Sequence, residues 1–550
     1  MVVDLRSLLP LLVLFVTLPI TSTLGSLPSN QNILLQHTTS GVVEGFADNT
    51  TISGVPLHKW LGMRFAQDTS GVNRWEPPQP VVPELGAVFN ASEYGPACLQ
   101  GRADGGSGTA IQSEDCLRIN VIAPANASNL PVYLYAHGGG FDSGASSDVK
   151  IDGTYLAARG IVFASYNYRL SLWGFPHSSE ISKSNKTQNF GLLDTRAAVE
   201  WLHANVHRFG GDPKKITLGA VMQSGDVAQP MWPTDSQLSK ISSKLGCLTG
   251  DGQLDCLRKK DGSELRKVLL ETGAQFQPVT DNITIWKEYV SLYTPSISFI
   301  LYIKQTQAGH STRVPLLIGT NKDEGTLIVE GESTAYLDDI AQYSKSNNLN
   351  FPHASLSILQ SLYPVPSKQY PTAYNASAAI WRDAHMLCHA RNLAHYRTIT
   401  TITGTLNSDL SEQLQSSYYG PVWRYRWDHI ASNLNSRGER IGAFHGSDIR
   451  FVMGQWRMIV LSPPYVPATE EQIKISDLMV TAWTNFVKGP RIPGWKRYDP
   501  KDPETLAILG TSTSGALAGN HTEVDAVCDY WNTLLPTFPR VFPDCGSWVC

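Results

Sequence analysis

The run His137-Gly138-Gly139-Gly140-Phe141 closes an apolar segment, and that placement is the first sign of chemistry in the chain. A backbone without side chains approaches a reacting carbonyl group closely and turns its N–H groups toward it. Fixed donors in a dry site stabilise the charge that develops on such an oxygen by about 3 kcal/mol each. Gly138, Gly139 and Gly140 are therefore the candidate oxyanion donors, with an ordinary glycine turn after a strand as the competing reading. Two further segments carry groups suited to moving a proton. Gly319-Thr320-Asn321-Lys322-Asp323-Glu324-Gly325-Thr326 holds adjacent carboxylates, and Phe444-His445-Gly446-Ser447-Asp448-Ile449 holds a histidine before glycine. A lone histidine in that setting is usually solvated or structural, so by themselves these segments assign no role. No metal-ligand spacing, phosphate-cradling loop or dinucleotide fingerprint occurs in the sequence, so neither metal nor cofactor is expected.

These residues need a scaffold. Segments 131–141 (PVYLYAHGGGF) and 160–170 (GIVFASYNYRL) are short, rich in Val, Ile, Tyr and Phe, and end on glycine or polar residues, which predicts strands. In 191–211, Leu193, Ala197 and Trp201 recur four apart, and Val199, Leu202 and Val206 widen the apolar face. That pattern predicts an amphipathic helix ended by glycine. Segments 216–222 (ITLGAVM) and 314–320 (VPLLIGT) predict two further buried strands. Strands alternating with helices imply an α/β protein with a largely parallel, doubly wound sheet, and no repeat or heptad run divides it.

Residues 1–25 have the layout of a secretory signal peptide, with Arg6 ahead of an apolar run from Leu8 to Ile20 and small residues near Gly25. The competing reading is a membrane anchor, but the run is shorter than the roughly 20 residues a span needs and contains Pro10 and Pro19. One domain, 26–550, is expected to follow, and a secreted protein with no membrane span. A net charge of −4 and a pI near 6.4 give no basic field for nucleic acid, so the expected partners are small molecules. The 8 cysteines fit an oxidising compartment. Cys98 with Cys116 and Cys247 with Cys256 are close enough for local bridges, while Cys388, Cys528, Cys545 and Cys550 leave several connectivities open. Glycosylation sequons begin at Asn49, Asn90, Asn126, Asn185, Asn282, Asn375 and Asn520.

A series of motifs resembles the type B carboxylesterases and cholinesterases over nearly the whole chain after residue 25. The segments are Trp60-Leu61-Gly62-Met63-Arg64-Phe65-Ala66, Glu114-Asp115-Cys116-Leu117-Arg118-Ile119-Asn120-Val121, the glycine run at 138–140, Asn167-Tyr168-Arg169, Asn189-Phe190-Gly191-Leu192-Leu193-Asp194 and Phe209-Gly210-Gly211-Asp212-Pro213, all in that family's order. The resemblance implies an α/β-hydrolase fold, a large central mostly parallel sheet flanked by helices. It implies hydrolysis of a carboxylic ester through a serine acyl-enzyme, with water as cosubstrate. It assigns Glu324 to orient the catalytic histidine, excludes its neighbour Asp323, and makes His445 the general base.

The pattern then breaks. The family places its nucleophile in Gly-x-Ser-x-Gly, a sharp turn after a strand, and this chain has no such segment. Instead Ile216-Thr217-Leu218 runs at once into Gly219-Ala220-Val221-Met222-Gln223-Ser224-Gly225, which resembles a strand and turn that normally come later. A deletion of roughly 25 to 35 residues at Gly219 is the expectation, enough for the elbow, a helix and a loop. Ser224 is a poor substitute, because Met222 and Asp226 stand where the turn needs small residues, and the prolines that follow oppose a helix. Residues 290–311 replace the short polar connection expected there. An exon skipped at Gly219 and an intron retained at 290–311, a gene-model error, would account for both anomalies, and a natural insertion is the competing reading for the second. The chain as written is expected to be inactive. The alternative function is a noncatalytic binding or adhesion protein of the same fold.

Overall fold

The computed structural model describes residues 34–49, 54–101, 111–216, 219–225, 235–247, 249–285, 314–329, 353–398, 420–431, 433, 438–455 and 467–534. The segment 1–25, the segment 290–311, Cys545 and Cys550 lie outside these residues.

Two five-stranded sheets form the centre. The first runs in the order Phe46–Asp48, Leu57–Arg64, Arg118–Pro124, Val162–Tyr166, Val132–Ala136, and the second Ala220–Gln223, Leu316–Asn321, Val422–Trp427, Leu506–Leu509, Leu517–Gly519. Val132–Ala136 pairs in parallel with Val162–Tyr166, and the first four strands of the second sheet are parallel. The remaining pairs are antiparallel.

Parallel strands covered on both faces need apolar side chains on both, and alternation delivers them. Leu317, Trp423, Tyr425 and Trp427 face a core that also holds Ile475, Met479, Trp483 and Phe486 of the helix Glu470–Lys488. Leu316, Ile318 and Val422 face the other way, onto Ala376 and Ile380 of Ala373–Arg382 and Leu393 of Cys388–Thr398. Tyr133, Tyr135 and Phe163 of the first sheet belong to the same core as Leu317 and Tyr425, so the two sheets share one interior. Glu470–Lys488 opens on a capping box, with Thr469 Oγ1 accepting from Gln472 N and Thr469 N donating to Gln472 Oε1.

The helix expected in 191–211 is Phe190–Asn205, which buries Ala198, Trp201 and Leu202 against Val121, Val162 and Ala164. Of the strand expected at 216–222, the described residues show Ala220–Gln223, and Ile216 closes the short turn Pro213–Lys215.

Several quoted motifs prove to be clasps. Asn120 Oδ1 accepts from Gly62 N at 2.8 Å, and a Cβ on Gly62 would lie 2.5 Å from Glu93 O at a φ of +65°. Arg169 donates from Nε (2.8 Å) and Nη2 (2.7 Å) to the fully buried Asp194. Arg74 forks onto Glu114 and donates to the carbonyls of Leu257 and Lys260. Bidentate geometry and further acceptors are what let such charges be buried.

Cys98–Cys116 and Cys247–Cys256 are disulfides as spacing suggested, and Cys388 bonds Cys528 across 140 residues. No described helix is long and apolar enough to cross a membrane.

One feature is unusual for a doubly wound interior. Val132–Ala136 and Ala220–Gln223 stand at the ends of their sheets, each paired on one side only among the described residues. Ala220–Gln223 is only partly buried along its length, while its neighbour Leu316–Asn321 is buried throughout.

Candidate functional site

The strand Leu316–Asn321 ends in a turn at 322–325 before the short helix Thr326–Val329. Gly325 lets that turn press onto the helix Ala373–Arg382, since a Cβ there would lie 2.1 Å from Ala378 O. Within the turn Glu324 is fully buried, and Asn321 N donates to its Oε1 at 2.7 Å. Its other oxygen, Oε2, accepts from His445 Nδ1 at 2.7 Å. The two residues are thus brought together from segments 121 positions apart.

The loop bearing His445 is pinned on both sides. Asn321 Nδ2 donates to Phe444 O at 2.7 Å, and Trp427 Nε1 donates to Ser447 Oγ at 3.1 Å. Asp323, set aside as the wrong carboxylate, forms the tether: its Oδ2 accepts from Ala443 N at 2.8 Å. Partial burial opposes a charge on His445, whose side chain is 38% exposed, but the Glu324 carboxylate, with the charge of Asp448 adding to it, outweighs that and holds its pKa above the ordinary histidine value. With Nδ1 committed to Glu324, Nε2 is the nitrogen left to take up a proton.

Sequence reading missed Asp448, a second buried carboxyl beside this pair. It accepts from Gln223 Nε2 at 3.1 Å, Tyr425 OH at 3.3 Å and Asn321 Nδ2 at 3.3 Å. Burial pushes its pKa up, the bonds from Gln223 and Asn321 pull it down, and the charge of Glu324 adds to the upward push. Its only signal was membership of the histidine segment. Asn321 was likewise inside a quoted motif, but nothing in its type revealed that its backbone and side chain would hold both loops.

Gly138, Gly139 and Gly140 follow the strand Val132–Ala136 and are exposed. Among the described residues no group accepts from their N–H groups. Gly139 has a φ of +125° and Gly140 of +61°, and a Cβ on Gly139 would lie 2.0 Å from Ser143 O. The loop is steadied by Tyr168 OH, which donates to His137 O at 2.9 Å. Burial drives the pKa of His137 down to about 4 against the bond to Gly138 O, leaving that ring neutral.

Ser224 sits just past the strand Ala220–Gln223, with a φ of +51° and its N–H on Gly319 O at 2.9 Å. Among the described residues its buried hydroxyl has no hydrogen-bond partner, His445 included. The described residues therefore show an imidazole oriented by a carboxylate, a group suited to moving a proton, and separately a run of backbone amides without acceptors.

The fold is that of an α/β hydrolase. The description "Carboxylesterase family" matches residues 32–220 and 218–527, and the chain belongs to that family. It is 30% identical to the para-nitrobenzyl esterase of Bacillus subtilis over 84% of this chain and 93% of that one. It is 29% identical to the acetylcholinesterase of Electrophorus electricus over 88% and 85%. A solved structure of a PNB esterase superposes with a TM-score of 0.68 at 26% identity, covering 91% of this chain and all of the other.

Proposed function

We propose that the chain carries the machinery of a secreted carboxylic ester hydrolase from which the nucleophile is missing. His445 is the general base, Glu324 its orienting acid, and Gly138, Gly139 and Gly140 the oxyanion donors. A serine on the missing elbow would attack the ester, and water would release the acyl group. The observation that carries this reading is the His445–Glu324 contact of 2.7 Å, intact beside a discontinuity in the sheet.

The expected deletion at Gly219 adjoins the end strand Ala220–Gln223, which supports the reading that a neighbouring strand was lost there. A single strand between Val132–Ala136 and Ala220–Gln223 would give each end strand its second neighbour, and the join at 216–219 immediately precedes the second of them. The family match also comes in two pieces that meet at 218–220. Partial exposure of Ala220–Gln223 and the open glycine amides fit the loss of a strand and its covering helix. Three disulfides and the layout of residues 1–25 support an extracellular location.

Removing the serine of such a triad costs about 10⁶ in turnover in a well-studied serine hydrolase, so the literal chain should show no specific esterase activity. Transcripts read across 216–220 and 290–311 test the origin of the defect. Reads that restore a Gly-x-Ser-x-Gly segment support the proposal, and continuous reads matching the chain at both joins refute a gene-model error. A p-nitrophenyl ester assay on both products then tests the function.

A further inference from the structure

We propose that Asn185 and Asn282 both carry N-linked oligosaccharides and present them side by side on one face of the protein. The inference rests on the export proposed above. In sequence the two sequons, Asn185-Lys186-Thr187 and Asn282-Ile283-Thr284, are unrelated sites far apart. In the structure their threonines meet: Thr187 Oγ1 lies 3.5 Å from Thr284 Oγ1, and both hydroxyls donate to Asp281 Oδ2. Asn189 Nδ2 seals the junction, donating to Thr284 Oγ1 at 2.7 Å and to Asp281 Oδ2 at 3.2 Å.

Both asparagines are exposed and occupy left-handed turns, with φ of 53° at Asn185 and 56° at Asn282. Asparagine tolerates that conformation, and an exposed turn accommodates a large polar substituent. Two other sequons differ. Asn375 lies within a helix between buried Tyr374 and buried Ala376, and the Asn520 side chain caps a helix while its Nδ2 donates to Glu523.

Transfer joins Asn Nδ2 to the anomeric carbon of an oligosaccharide held on a lipid diphosphate; the amide gives up one proton and the lipid diphosphate departs. The sequon hydroxyls are sequestered by Asp281 once the turns close, so transfer precedes folding of this face.

The test is site mapping of the full chain expressed in a eukaryotic secretory host. N-glycans are released enzymatically in ¹⁸O-water and the peptides analysed by mass spectrometry. The expected result is ¹⁸O-labelled aspartate at 185 and 282, each lost in Asn185→Gln or Asn282→Gln respectively. A chain glycosylated elsewhere but bare at either position overturns the pairing. A chain bare everywhere contradicts export, and repeating the experiment with a strong heterologous leader separates the two: positions 185 and 282 bare in that product overturn the pairing itself.

Discussion

Asp323 Oδ2 accepts from Ala443 N at 2.8 Å while Asp323 N donates to Ala443 O at 3.0 Å, so one residue ties the turn bearing Glu324 to the loop bearing His445. The carboxylate beside the acid is thereby given a mechanical part: it holds the distance across which its neighbour reaches the imidazole.

Asp323→Ala should leave Ala443 N–H without its side-chain acceptor and destabilise the fold by about 1–3 kcal/mol. Asp323→Asn keeps an oxygen in place and should lose less. Urea midpoints of the two variants check this, and equal losses would argue against the tether.

Glu324→Gln should lower the His445 pKa, because burial then acts with less opposition. Since the folded value is raised, the contact stabilises the fold fully below the unfolded histidine pKa, and that contribution fades as pH rises through the folded value. NMR titration of the His445 ring measures the shift directly. An unchanged pKa in the variant would show that Glu324 does not govern the imidazole.

Asp194→Ala strands Arg169 in the interior, where its side chain is 2% exposed. Breaking one partner of such a pair costs about 3–5 kcal/mol, readable as a fall in the denaturant midpoint. A loss below about 1 kcal/mol, the scale of a surface pair, would contradict the burial argument.

Replacing Cys388 and Cys528 together by alanine should destabilise the chain by about 2–5 kcal/mol, as expected for a bridge closing a long loop. Thermal melts of the double variant under non-reducing conditions measure it.

Much of the framework was legible because its signals are local. The strand Val162–Tyr166 and the helix Phe190–Asn205 follow from apolar spacing, and Glu324 and His445 from short segments in a recognisable order. What was not legible depends on contacts between distant segments. The pairing of Cys388 with Cys528 across 140 residues is set by the packing of two helices, which spacing cannot express. The bonds of Asn321 to both loops, and the burial of Asp448 against Gln223 and Tyr425, arise only when three parallel strands stand side by side. The division of the centre into two sheets concerns pairing between strands far apart in the chain, which no single segment carries.

The most direct measurement is covalent labelling by a fluorophosphonate, which reports an activated serine without reference to any substrate. No active-site adduct is expected on the chain as written, and stoichiometric labelling of the elbow serine is expected once the missing block is restored, abolished by His445→Ala. Stoichiometric labelling of Ser224 in the unaltered chain, lost in Ser224→Ala and in His445→Ala, would contradict the proposed loss of the nucleophile.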